Sequence, residues 1–162
     1  MPILKFASEI FQEFTQARNK KSRVDILDKY STHPTFPWVI DFIFNPKYEF
    51  HVPEPFPEYH LNDSPLGLNE THLHEQMKRL YLFLKGNASA EKIDNAKRTE
   101  ILIQILEGLH PAESEVFIAM LKKQSPIKYL TKSLVEEVYP KMFGIQTNVQ
   151  PVQEKEEEIA SV

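Results

Sequence analysis

A chain of 162 residues, 41% hydrophobic and 26% charged, can bury one core and is too short to expect two, so a single domain is expected. It has no cysteine, which excludes disulfides and thiolate metal sites and fits a reducing, cytoplasmic setting. The formal net charge is −4, but three of these negative charges belong to the tail after Gly144, where Glu154, Glu156, Glu157 and Glu158 outnumber Lys155. The remainder is nearly neutral, which excludes the pervasive positive field of a strong non-specific DNA binder and still permits a local basic patch. No apolar run approaches the roughly 20 residues of a membrane helix, and the first residues lack the pattern of a signal peptide.

Ala7, Ile10, Phe11, Phe14 and Ala17 fall at steps of three and four, which predicts a helix from about Leu4 to about Arg18 with one core-facing stripe. After a basic turn, Ser22 and Asp25 read as a capping box that opens a short helix to about Tyr30. Trp38 to Phe44 is apolar nearly all round and therefore buried. Pro37 suits a first helical turn and Asn45-Pro46 a stop, so a short helix is favoured over a strand. From Asn45 to about Leu68, five prolines alternate with Tyr48, Phe50, Phe56 and Tyr59. Repeated proline forbids a continued helix or a central strand, and the aromatics predict a long loop lying against the body.

Leu73, Met77, Leu80, Tyr81 and Leu84 form the next helical stripe, with Gly86-Asn87 as its stop. Ile101, Leu102, Ile105, Leu106 and Leu109 form another, broken by His110-Pro111. Pro111 then opens a helix with Glu113 and Glu115 near its start and Lys122 and Lys123 near its end, each of the sign the helix dipole favours. A last helix starts near Thr131 as N-cap and buries Leu134, Val135 and Val138. The expected fold is all-α: about six to seven helices within residues 1–143, a Pro-rich aromatic loop, and a disordered acidic tail over 144–162.

Catalytic motifs are missing from the sequence: no nucleophile elbow, no phosphate-binding glycine loop and only four glycines. His72 and His74 lie two apart, about 200° around a helix, and would not converge on one metal ion. No enzyme activity, cofactor, metal or small-molecule substrate is expected. The stronger signal is basic. Lys122, Lys123, Lys128 and Lys132 gather around the turn before the last helix, where the amides near Thr131 can also receive an anion. Arg18, Lys20, Lys21 and Arg23 form a second basic turn. Such groups can hold a nucleic-acid backbone or simply solvate a surface, and the sequence leaves both readings open.

The runs Leu80-Tyr81-Leu82-Phe83, Arg98 to Glu113 and Tyr129 to Pro140 resemble a family of proteins of T-even-type tailed bacteriophages. That pattern is similar in turn to the helical N-terminal DNA-binding domain of phage-type ATP-dependent DNA ligases. In those domains a basic turn and a closing helix-turn-helix ending in aromatic-Pro precede the catalytic domain; here Tyr139-Pro140 takes that position. The resemblance implies contact with duplex or nicked DNA through Lys122, Lys123, Lys128, Thr131 and Lys132, in a host cytoplasm. No K-x-D-G adenylation motif is present, so ligase activity is not implied. The alternative expectation is an adaptor for phage or host replication or transcription proteins, docking through Phe50, Phe56 and Tyr59 together with the acidic tail.

Overall fold

A computed structural model describes residues 5–141; the acidic tail expected over 144–162 lies outside them. The described chain is all-α, with eight α-helices, one 3-10 helix and no strand. Its helices are α1 (Ala7–Thr15), α2 (Lys20–Lys29), α3 (Phe36–Phe44), α4 (Leu73–Gln76), α5 (Ala88–Glu91), α6 (Asn95–Gly108), α7 (Pro111–Lys122) and α8 (Lys132–Val138), with the 3-10 helix Met77–Phe83 between α4 and α5. None of them is long and apolar enough to cross a membrane.

The apolar spacing of α1 holds for Ala7, Ile10, Phe11 and Phe14, all buried, but the helix ends at Thr15, so Ala17, read as part of the stripe, lies beyond it and is only partly buried. Glu9 accepts the Phe6 N–H at 2.8 Å and so satisfies an amide at the start of the helix. The next helix starts earlier than its sequence suggests. Asn19, not Ser22, is its N-cap, because the Asn19 side chain accepts the Ser22 N–H at 2.9 Å and Ser22 becomes part of the first turn.

Proline near the start of α3 stabilises a helix over a strand, as expected, and Phe36, Val39, Ile40 and Ile43 are buried. Trp38 departs from the expectation of all-round burial. It is 55% exposed and stacks on the His74 ring at 6.3 Å.

The stripe starting at Leu73 does not continue as one α-helix. Four residues of α4 tighten into the 3-10 helix, and the buried positions become Met77, Leu80 and Phe83, three apart, as a three-residue turn requires. Tyr81, read as part of the stripe, is therefore 47% exposed. Gly86-Asn87 is a stop and also a start: the Asn87 side chain caps the one-turn α5.

The core is organised around α7, which packs on α1, α3, α4 and α6. Two buried or half-buried cations close helix ends beside it. Arg98 donates to the carbonyls of Ala90 (2.6 Å) and Ile93 (3.2 Å) at the end of α5. Lys123 Nζ donates to the carbonyls of Phe42 (2.6 Å) and Asn45 (2.8 Å) at the end of α3. Carbonyls of a last turn lack helical partners, and a cation there also meets the favourable end of the dipole.

The Pro-rich loop lies on this body, as the aromatics predicted. Phe50 is buried and Phe56 and Tyr59 are partly buried against the core. The loop backbone is pinned as well: His60 N–H donates to Glu107 at 2.8 Å, and the Asn62 side chain donates to the Glu107 carbonyl at 2.9 Å. Near Gly108 the loop's end comes so close that a Cβ there would lie 3.0 Å from the Thr71 methyl, while the Thr71 N–H donates to the Gly108 carbonyl.

One ion network ties α1 to α2. Glu13 accepts from Tyr30 (2.6 Å), Lys5 (2.9 Å) and Lys29 (3.2 Å). Desolvation opposes ionisation of this carboxyl, but the bonds from Tyr30, Lys5 and Lys29 together outweigh it and bring its pKa down to about 2. A folded pKa below the unfolded one contributes stability above the unfolded value of 4.5 and loses it as pH falls towards about 2. Glu13→Gln is therefore expected to cost about 1–2 kcal/mol at neutral pH, a figure reduced for solvent screening. Urea unfolding at about pH 7 and about pH 2.5 should show that deficit shrinking; a deficit of equal size at both would refute the charge origin.

Candidate nucleic-acid interface

Two basic turns more than 100 residues apart in sequence meet in space. α2 packs against α8, and Tyr139, just past α8, donates its hydroxyl to the Leu27 carbonyl of α2. Burial raises the Tyr139 pKa, so this hydroxyl stays protonated and the bond persists across the ordinary pH range. The join holds the start of α2 beside the turn that precedes α8.

A groove of about 300 Å³ lies along the join, lined by Lys20 and Arg23 on one side and by Tyr129, Thr131, Ser133 and Glu137 on the other. Tyr129 is the aromatic of that lining. It is 58% exposed, and the Arg23 guanidinium lies 4.1 Å from its ring centroid. Lys128 approaches the same ring at 5.7 Å. Cation–π contact holds the guanidinium beside the ring while its donors remain free to meet an anion. Tyr129 adopts φ +70°, a left-handed backbone unusual for a bulky residue. Strain of this kind persists only where neighbouring structure fixes it, and here it accompanies a ring displayed outward.

Among the described residues, Lys21, Arg23, Lys128 and Lys132 form no ion pair. Lys20 pairs with Glu137 at 3.0 Å, with both side chains more than half exposed. Such a surface pair contributes little and yields readily to a phosphate. Thr131 serves the scaffold: its hydroxyl accepts the Leu134 N–H at 3.2 Å and caps α8, as its sequence position suggested.

Lys122 and Lys123 do not join this groove. Lys122 lies 4.5 Å over the ring of Phe56. Lys123 turns inward onto the two α3 carbonyls, and desolvation lowers its pKa. Both lysines line a hollow beside Glu49, Phe50, Val52 and Glu54 of the Pro-rich loop, not the α2 surface. The expected group of four lysines is thus split into two pairs. Conversely, Tyr129 and Ser133 enter the site although sequence reasoning passed over them. The only signal available was an aromatic placed next to a lysine in a polar turn.

Of the aromatics of the adaptor reading, Phe50 is buried while Phe56 and Tyr59 are partly buried. Phe50 is only 6% exposed and packs edge-on to Phe42 at 6.1 Å, Phe56 lies under Lys122, and Tyr59 packs against the core. His72 and His74 do not converge: His72 packs on Phe6, and His74 bonds Thr35 at 2.8 Å. Among the described residues, no group of three or more His, Asp or Glu side chains is arranged to hold a metal ion.

Comparison with curated proteins finds no match. A family match covers residues 10–126, well over half of the chain, and stops before Tyr129 and α8, so the second wall of the groove lies beyond it. The chain belongs to that family, a family of unknown function (DUF6433).

Proposed function

We propose that this protein binds duplex or nicked DNA, without catalysis, through the groove between α2 and α8. The observation that carries this reading is the convergence of two distant basic turns on one exposed aromatic, Tyr129, with Arg23 on its ring. Free cations beside an exposed ring suit a phosphate backbone and the face of a base exposed at a nick or end. Lys20, Lys21, Arg23, Lys128 and Lys132 supply the phosphate contacts, Tyr129 the stacking surface, and Thr131 and Ser133 hydroxyls at the groove wall. The likeness to ligase DNA-binding domains agrees with this reading in its closing turn and differs in including Lys122 and Lys123, which the groove leaves out.

The test is fluorescence anisotropy of a labelled nicked duplex at about 50 and about 200 mM salt. Neutralising the phosphates met by these five cations predicts a slope of about −4 to −5 in log K against log salt. The Arg23→Ala/Tyr129→Ala double variant should weaken binding at least about tenfold at low salt, about 1.4 kcal/mol, while Lys122→Ala leaves it unchanged. Absence of binding at low salt, or equal loss in the Lys122 control, would overturn the assignment.

A further inference from the structure

A second cavity, of about 350 Å³, opens on a different part of the fold, where the first turns of α1, α3, α4 and α7 meet. Its walls carry Phe6, Pro34 and Leu73, and its polar groups are Lys5, His33, Thr35, His74, Glu75 and Glu113. Most of these are already committed. His33 Nδ1 accepts the N–H groups of Thr35 and Phe36, both at 3.0 Å, which places its proton on Nε2 for donation to the Lys5 carbonyl at 2.7 Å. Thr35 and His74 bond each other. The Lys5 ammonium is held by Glu13 at 2.9 Å, so the cation at the rim is neutralised by a group outside the cavity.

Glu113 is the exception. Its residue is only 2% exposed and lines the cavity, yet it has no ion-pair partner among the described residues. One carboxyl oxygen, Oε2, accepts the Ser8 N–H at 2.7 Å. That bond accounts for half of the group: it satisfies an amide of the first turn of α1. No hydrogen bond reaches the other oxygen, Oε1, within ordinary distance, and the neighbouring neutral donor is the Ser8 hydroxyl, buried and without a partner of its own. Burial raises the pKa of this carboxyl; the Ser8 hydroxyl and N–H oppose the shift, nearby Glu9 adds to it and His110 opposes it, none of them supplying a fixed countercharge in contact. A buried carboxyl without a countercharge is costly, and a donor carrying positive charge would remove that cost.

We propose that this cavity binds a small organic cation, an amidinium or primary ammonium on an apolar body, whose N–H groups meet Glu113 Oε1. The apolar body lies against Phe6, Pro34 and Leu73, with the His72 ring, tilted on Phe6 at 5.5 Å, closing that wall. The volume suits a ligand of this size. The unused hydrogen-bonding capacity of Glu113 and Glu75 is on the acceptor side, which favours a cation over an anion. This site is independent of the α2–α8 groove and shares no residue with it.

The probes are benzamidinium and its near-isosteric neutral counterpart benzamide, titrated into the full chain while amide NMR shifts are followed. Benzamidinium should saturate in the millimolar range or below, with the largest shifts at Ser8 and around Glu113, and benzamide should bind at least tenfold more weakly. Glu113→Gln keeps an oxygen for the Ser8 N–H and removes the charge, so it should weaken benzamidinium at least tenfold and abolish the preference over benzamide. Equal binding of the two probes to the wild type, no shifts up to about 10 mM, or undiminished binding by a folded Glu113→Gln variant would overturn the proposal. Should that variant fail to fold, the comparison of the two probes on the wild type decides alone.

Discussion

Replacing Phe117 by alanine is expected to destabilise the protein by about 3–5 kcal/mol, the transfer loss of a buried aromatic plus the cavity left behind. Phe117 is fully buried on α7 and meets Phe83 of the 3-10 helix edge-on, with ring centroids 6.1 Å apart. Because α7 touches four other helices, the cavity would open at the centre of the core, where no single neighbour can move to fill it without disturbing another. A domain of this size has a total stability of about 5–15 kcal/mol, so the variant should lose a large share of it. Urea unfolding should show a lower midpoint with an unchanged slope, and Phe117→Leu should recover most of the loss. A midpoint shift equivalent to less than about 1 kcal/mol would mean that Phe117 does not sit in a closely packed centre.

Lys123→Met is expected to cost about 2–3 kcal/mol while leaving intact the DNA binding proposed for the α2–α8 groove. Methionine matches the length of lysine and supplies no donor, so the Phe42 and Asn45 carbonyls at the end of α3 lose their partner. The left-handed backbone at this position is kept in both proteins, so it does not contribute to the difference. The pH dependence has a definite sign. Desolvation holds the folded pKa below the ordinary lysine value of 10.5, so as pH rises through the window beneath 10.5 the unfolded chain retains the proton that the native state releases. The wild type should therefore gain stability relative to Lys123→Met across that window. Unfolding at about pH 7 and at a pH just below 10.5 tests this, and anisotropy on the same variant tests its absence from the α2–α8 groove. A stable Lys123→Met that fails to bind DNA would reverse both conclusions.

Much of the scaffold was legible because local rules and burial agreed. The spacing of Ile10, Phe11 and Phe14, proline in the first turns of α3 and α7, and the Thr131 cap each specify a helix with little outside help. The 3-10 helix was not legible, since Met77, Leu80 and Tyr81 satisfy an α-helical stripe equally well. Contact between Phe83 and Phe117 comes from another part of the chain and favours the three-residue spacing. Asn19 displaced Ser22 as a cap for a nearer reason: both types can cap, and the choice depends on where the preceding loop leaves its backbone.

The candidate sites depended far more on tertiary structure. Sequence alone determined that the protein is an all-helical domain, that its Pro-rich loop packs by its aromatics, and that two basic turns exist. These follow from periodicity, proline chemistry and charge, all properties of neighbours along the chain. The tertiary structure decided which cations are free. It turned Lys123 onto the end of α3, laid Lys122 over Phe56, brought Arg23 to Tyr129, and buried Glu113 at the wall of a cavity. A lysine or a glutamate has the same sequence signature whether it solvates a surface, caps a helix or awaits a ligand. The role is set by which carbonyl, ring or empty volume the fold places within its reach, and those neighbours are distant in sequence.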